Sequence, residues 1–370
     1  MSELPEPDRL ADAPHPRDTT MLFGQDAAQA AFLDAFNTGR LHHAWLITGP
    51  KGIGKATLAW RIARFLRATP PGQDDGLFGA PPAPTTLDIS PDHPTARRMA
   101  AGSEAGLYVL KRTPNDKGER MSAEIRVSDV RKLKGFFSLS VADGGPRVVI
   151  VDAADEMNLN AANALLKVLE EPPANTTLLL ISHQPSALLP TIRSRCRVLR
   201  CDPLDAADMQ AALAQAEVST QSPQALAALA GGSVGTAIRL ETQDGGALYA
   251  ALVTILGQVP NIDRQTALKL ADTVTARTPE RTVLILDMFE LLLARLARSG
   301  VLGPPQPAAT PQEADVFAKL CKDARAARHW AGVAQTLVER ARRGTAVNLD
   351  PQTLILDMLF KIEAEAREVL

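Results

Sequence analysis

Aromatic residues are scarce in this chain of 370 residues: three Trp, two Tyr and ten Phe make up 4% of it, although 45% is apolar and 22% charged. That is otherwise an ordinary soluble composition. Only three cysteines occur, Cys196, Cys201 and Cys321. They are too few for a disulfide framework and lack zinc-ligand spacing, so reduced, mostly buried thiols in a cytosolic protein are expected. Charge of one sign is missing as well. A net charge of −2 excludes a strong whole-molecule pull toward nucleic acid or membrane, so any DNA contact would be local or shared with partners. No long hydrophobic run is present. Val283 to Leu293 is broken by Asp287 and Glu290, too short to span a bilayer and expected as a core helix. The start, MSELPEPDRLADAPHPRD, is acidic and Pro-rich, unlike a signal or transit peptide.

What is there begins as alternating strands and helices. After an expected flexible tail over residues 1–20, DAAQAAFLDAFNTG reads as a helix stopped at Gly39. AWLIT is a short apolar run leading into GPKGIGKAT, and ATLAWRIARFL then has Leu58, Ile62 and Phe65 at helical spacing. Residues 69–104 read as a loop insertion. A strand is expected at Ile125 to Val127, with Ser128 capping a helix. RVVIVDAADEM carries four consecutive β-branched residues, Val148 to Val151, the mark of a strand buried on both faces. NAANALLKVLEEPP is an amphipathic helix ended by Pro172, and TTLLLIS is another buried strand. After Leu204 only Ala/Leu-rich helices follow, with breaks at GQVPNID and GVLGPPQPAATP. The expected organisation is an α/β domain over 21–203 with a parallel sheet, a small helical domain over 204–272 and an all-α domain over 273–370. In the last, Asp350 is placed to cap a helix with Pro351 at its first position.

The stretch Gly49 to Thr57 meets the phosphate-loop pattern at Gly49, Gly54 and Lys55 and departs from it at Ala56. Glycines 49, 52 and 54 free the backbone N–H groups to cradle phosphate, and Lys55 reaches the β and γ positions. The residue after the lysine should supply a hydroxyl to Mg²⁺, and alanine has none. Thr57 lies about 100° further round the helix. The loop reads either as a retained packing element or as a weak nucleotide site. Asp152, ending the buried strand, matches the acidic residue that positions Mg²⁺ in P-loop NTPases. The next position, where many such enzymes place a water-activating glutamate, is Ala153. Asp155 and Glu156 read as solvated or capping residues.

At ITGPKGIGKATLAWRIARFL, VVIVDAADEMNLNAANALLKVLEEPP and LLPTIRSRC the chain resembles bacterial clamp-loader AAA+ subunits of DNA polymerase III. The resemblance covers most of residues 20–240 and resumes weakly at NLDPQTLILDMLFKI. It implies a RecA-like AAA+ domain, a helical lid and a C-terminal collar. It also implies that Arg195, in the SRC triplet, projects into a neighbouring subunit's nucleotide site. A guanidinium delivered in trans stabilises the transferring phosphoryl group and is worth on the order of 10³ or more in rate. The blander reading is a solvated basic face with Arg193, Arg197 and Arg200.

On the same resemblance the first sensor is Ser182. The second-sensor arginine position falls on Gly235, with Arg239 as a displaced substitute at most. Related subunits carry a cysteine zinc module after the loop helix; residues 69–104 hold no cysteine, and His93 is a lone imidazole, so no zinc or other metal is expected. The nucleotide-contacting set would be Gly49, Gly52, Gly54, Lys55, Thr57, Asp152 and Ser182, with weak or absent ATP or ADP binding and no required cofactor. Partners implied are ATP-binding gamma/tau-type and delta-type subunits and, through them, the sliding clamp and primed DNA. Two other functions stay open: an active AAA+ ATPase motor of clamp-loader or helicase type, and a small-molecule P-loop transferase, which needs no trans arginine.

Overall fold

The computed structural model describes residues 6–10, 13–69, 83–115, 117–118, 120–138, 144–274 and 279–370. They form two compact units, one running to Glu217 and including Gly232–Thr236, the other made of Val218–Gly231 and Ala237–Leu370.

The first unit contains, in order, α1 (Asp26–Asn37), β1 (Ala44–Thr48), α2 (Lys55–Ala68), α3 (Pro94–Ala100), β2 (Leu107–Lys111), α4 (Val127–Ser138), β3 (Arg147–Asp152), α5 (Leu159–Glu170), β4 (Thr176–Ser182), α6 (Pro190–Arg193), β5 (Arg197–Arg200) and α7 (Ala206–Gln215). The strands form one parallel sheet in the order β2-β3-β4-β1-β5. Every residue of β1 and β4 is buried, which explains why these two read as uninterrupted apolar runs. Side chains alternate between the faces. Ala44, Leu46, Val149, Val151, Leu178 and Leu180 join α4 and α5 residues in one core, while Trp45, on the other face, packs at a tilt against Phe32 of α1.

Four expectations are corrected. The outer strand is Leu107–Lys111, not Ile125–Val127, where only a single bridge joins Ile125 to Met157. The helix after it starts one residue before Ser128 because Asp129 reaches back to accept from the Arg126 N–H at 3.1 Å. That is the carboxylate half of a capping box. Within the segment read as a loop insertion, α3 is capped by His93, whose Nδ1 accepts from Thr95 N at 3.2 Å. Residues 6–10 and 13–20, the stretch expected as a tail, lie against the sheet edge and α2: Arg64 donates to the Arg17 carbonyl and Arg61 to that of Thr20.

The regular elements among the second unit's described residues are all helices: α8 (Pro223–Ala230), most of α9 (Val234–Thr242), α10 (Gly245–Gly257), α11 (Arg264–Ala271), α12 (Pro279–Leu302), α13 (Glu313–Leu320), α14 (Ala324–Ala346) and α15 (Pro351–Val369). Leu284, Ile285, Met288, Phe289, Leu292, Leu293 and Leu296 of α12 are buried, a stripe at helical spacing. Glu313 sits at the centre of a buried polar knot, accepting from Arg295 at 2.7 and 3.0 Å, Tyr249 at 2.5 Å and the Ala309 N–H at 2.7 Å. No helix among the described residues is long and apolar enough to cross a membrane.

Candidate functional site: the phosphate loop and the SRC arginine

Gly49 to Gly54 join the end of β1 to the start of α2. Gly49, Gly52 and Gly54 all have positive φ, and two of them are also needed for space. A Cβ on Gly49 would run into the Cys201 carbonyl, and one on Gly52 would meet Ser233 Oγ. The loop is tied down from both sides. Gln25, 2% exposed, donates to the Ile53 carbonyl at 3.1 Å and to that of Asp202 at 2.9 Å. Ser233 Oγ donates to the Lys51 carbonyl at 2.8 Å, and Gly235 N to the Gly52 carbonyl at 2.9 Å. The sequence reading missed Gln25 and Ser233; their roles depend on contacts 28 and 182 residues away.

Lys55, the first residue of α2, is 3% exposed. Its ammonium donates to the Gly49 and Pro50 carbonyls at 2.7 and 2.5 Å. Burial lowers its pKa to about 8, with the nearby Cys201, Asp155 and Asp152 opposing the shift. Asp152 ends β3 opposite Lys111 of β2. Burial, then the charges of Asp8 and Glu156, raise its carboxyl to about 7. Ser182, ending β4, is fully buried with its hydroxyl unpartnered, as is Nδ1 of the adjacent His183. Burial, and then the Lys55 charge, push that imidazole down to about 4.

Gly49, Gly52, Gly54, Lys55, Asp152 and Ser182 therefore converge at the carboxyl ends of β1, β3 and β4, where open α/β sheets bind ligands. Thr57 shares the first turn of α2 but is rotated away from position 56. The residues fit a phosphate group: a glycine cradle, a buried ammonium and an orphaned hydroxyl. They do not fit a Mg²⁺ held for hydrolysis, since the place of the hydroxyl ligand is Ala56 and that of the water-activating carboxylate is Ala153, 3% exposed.

The neighbouring acids are committed elsewhere. Asp155 Oδ2 accepts from the backbone N–H groups of His183 and Gln184 at 2.8 and 3.2 Å, and Glu156 pairs with Arg112 at 2.7 Å. Gly235 carries no second-sensor side chain and packs closely on the loop, so that a Cβ there would lie 3.0 Å from Gly52 Cα. Arg239 is paired with Asp287 at 2.6 Å in the helical unit.

Arg195 is not part of this cluster. It follows α6 and precedes the first residue of β5, at the amino end of a strand whose carboxyl end carries Cys201 and the loop. The four residues of β5 alone separate them by roughly 13 Å. Its side chain is 37% exposed, with the guanidinium bonded to Glu170 at 2.9 Å and to the Thr191 carbonyl at 3.0 Å.

This geometry is accompanied by similarity to known proteins over the same residues. A model described as "DNA polymerase III, delta subunit" matches residues 24–205. The chain is 42% identical to the DNA polymerase III subunit delta' of Pseudomonas aeruginosa over 54% of its own length and 56% of that protein. It is 28% identical to the subunit tau of Salmonella typhimurium over 75% of its own length and 41% of that protein. The chain thus spans about half the length of the curated relatives it matches. A solved gamma subunit-related protein of Thermotoga maritima overlays with a TM-score of 0.39 at 15% identity, covering 91% of this chain and 99% of that one. The resemblance to delta-prime subunits rests on the first unit, the five-stranded parallel sheet with its glycine loop.

Proposed function

We propose that this chain is a non-catalytic AAA+ subunit of the DNA polymerase III clamp loader. It braces the assembly and supplies Arg195 to the ATP site of a neighbouring subunit, so that a sliding clamp is loaded on primed DNA. Its partners are ATP-binding gamma/tau-type and delta-type subunits in the cytoplasm. Residues 204–272 serve as the lid and residues 273–370 as a collar between subunits.

The observation that carries this reading is the split between the two halves of the chemistry. The chain's own loop has Ala56 and Ala153 where the metal-binding hydroxyl and the water-activating carboxylate belong. Its arginine sits at the other end of the sheet, out of reach of that loop and open to solvent. The pair with Glu170, 44% exposed, is worth about 0–1 kcal/mol, so a phosphate on an adjacent subunit can take the guanidinium over. An active ATPase motor would need Thr57 in place of position 56, and Asp155 or Glu156 as base; both acids are already bonded to other groups.

The test is reconstitution with ATP-binding partner subunits. Arg195→Ala should assemble normally and lower DNA-stimulated ATP turnover of the complex by on the order of 10³ at the site it serves. Unchanged turnover in the assembled variant removes the arginine from the mechanism.

A further inference from the structure

The N-terminal segment reaches the phosphate loop. Asp8 is anchored beside the end of β3: its carboxylate accepts from Lys111 Nζ at 2.5 Å and lies 3.2 Å from His15 Nε2, and its side chain is 2% exposed. Lys111 pairs in register with Asp152, so the Asp8 charge is felt at Asp152. A buried carboxylate is stable only when paired and hydrogen-bonded, and both conditions are met. His15, 2% exposed, packs edge-on against Trp60 of α2 at 5.7 Å.

At the loop, two leucines of this segment stand over two glycines. A methyl on Gly235 would lie 3.6 Å from Leu10 Cδ2, next to its contact with Gly52, and a methyl on Gly54 would lie 2.9 Å from Leu22 Cδ1.

We propose that residues 6–10 and 13–22 are the resident occupant of the phosphate-loop site. Leu10 is seated at the Gly52–Gly235 contact and Asp8 beside Asp152, so a nucleoside polyphosphate reaches the loop only when this segment leaves. The occupant opposes such a ligand in two ways. Leu22 lies against Gly54 of the loop and Leu10 against Gly235, apolar side chains where a polyphosphate would need polar partners, and the Asp8 carboxylate holds Lys111, the cation beside Asp152, so that it is not free for an anionic ligand. The proposal rests on the reading of Gly49–Thr57 as a phosphate loop and not on Arg195, so the failure of either leaves the other standing.

The full chain and its Asp8→Ala/Leu10→Ala variant are titrated with a fluorescent ATP analogue and Mg²⁺, and amide hydrogen exchange is followed at residues 49–56. Apparent affinity falls by the fraction of time a site stands open, so the variant should bind at least about ten-fold more tightly than the wild type, with faster loop exchange. Asp8→Asn, which keeps the shape of the side chain and loses its charge, is read the same way if the double variant does not fold. Equal affinity, or equal loop exchange, in a folded variant overturns the proposal.

Discussion

Lys55 and Asp152 have the residue types of a nucleotide site, but their surroundings alter how both titrate. The Lys55 ammonium is spent on two loop carbonyls. Asp152 is held near pKa 7 by burial and by neighbouring acids. Between its ordinary value of 3.8 and about 7, the folded carboxyl keeps a proton that the unfolded chain has released. Stability contributed by this group is therefore present at low pH and lost as the pH rises through that window. Asp152→Asn should then raise the melting temperature above wild type near pH 8 and leave it little changed near pH 4; the opposite ordering would contradict the buried, proton-holding aspartate.

Glu104 has the reverse sign. Burial pushes its carboxyl up, but Arg98, the Gly106 N–H and Arg67 more than offset this and hold it below the ordinary value. Arg67 donates to it at 2.8 Å with both side chains buried. Its contribution is present above the ordinary carboxylate range and is lost on acidification through the lowered value. Glu104→Ala strands the Arg67 charge and should cost about 3–5 kcal/mol, measured by urea denaturation at neutral pH. A change below 1 kcal/mol would refute the pairing. Such residues were not legible in the sequence. Glu104, Gln25 and Ser233 carry no motif, and each acquires its role from a partner far along the chain.

At the scale of elements, legibility followed burial. β3 and β4 could be read because their runs are buried on both faces, and α5 because its apolar residues hold helical spacing. β2 escaped because an edge strand with one fully buried residue has neither a continuous apolar run nor clean alternation. Ile125–Val127 misled for the converse reason: Ile125 is fully buried, yet Asp129 recruits the following backbone into α4. Helix caps could be read where side chain and proline coincide. The Asp350 carboxylate accepts from Thr353 N at 2.9 Å with Pro351 at the first position of α15. Asp350→Ala should lower stability by about 1 kcal/mol, seen as a shift of the urea midpoint with unchanged slope. No shift would mean that packing of the apolar face of α15 alone fixes where it starts.

At the scale of the whole molecule, the phosphate loop and the SRC arginine occupy opposite ends of one sheet. The sequence showed both motifs and the altered letters around them. It could not show that the N-terminal segment returns to the loop, because that depends on a salt bridge 103 residues apart in sequence. The central proposal is that this chain helps a neighbour's ATP chemistry without performing its own. Phosphate release by the isolated full chain at saturating Mg²⁺-ATP tests it most directly. The predicted rate is that of the buffer alone. Sustained turnover that disappears in Lys55→Ala would show the chain's own loop at work and contradict the account.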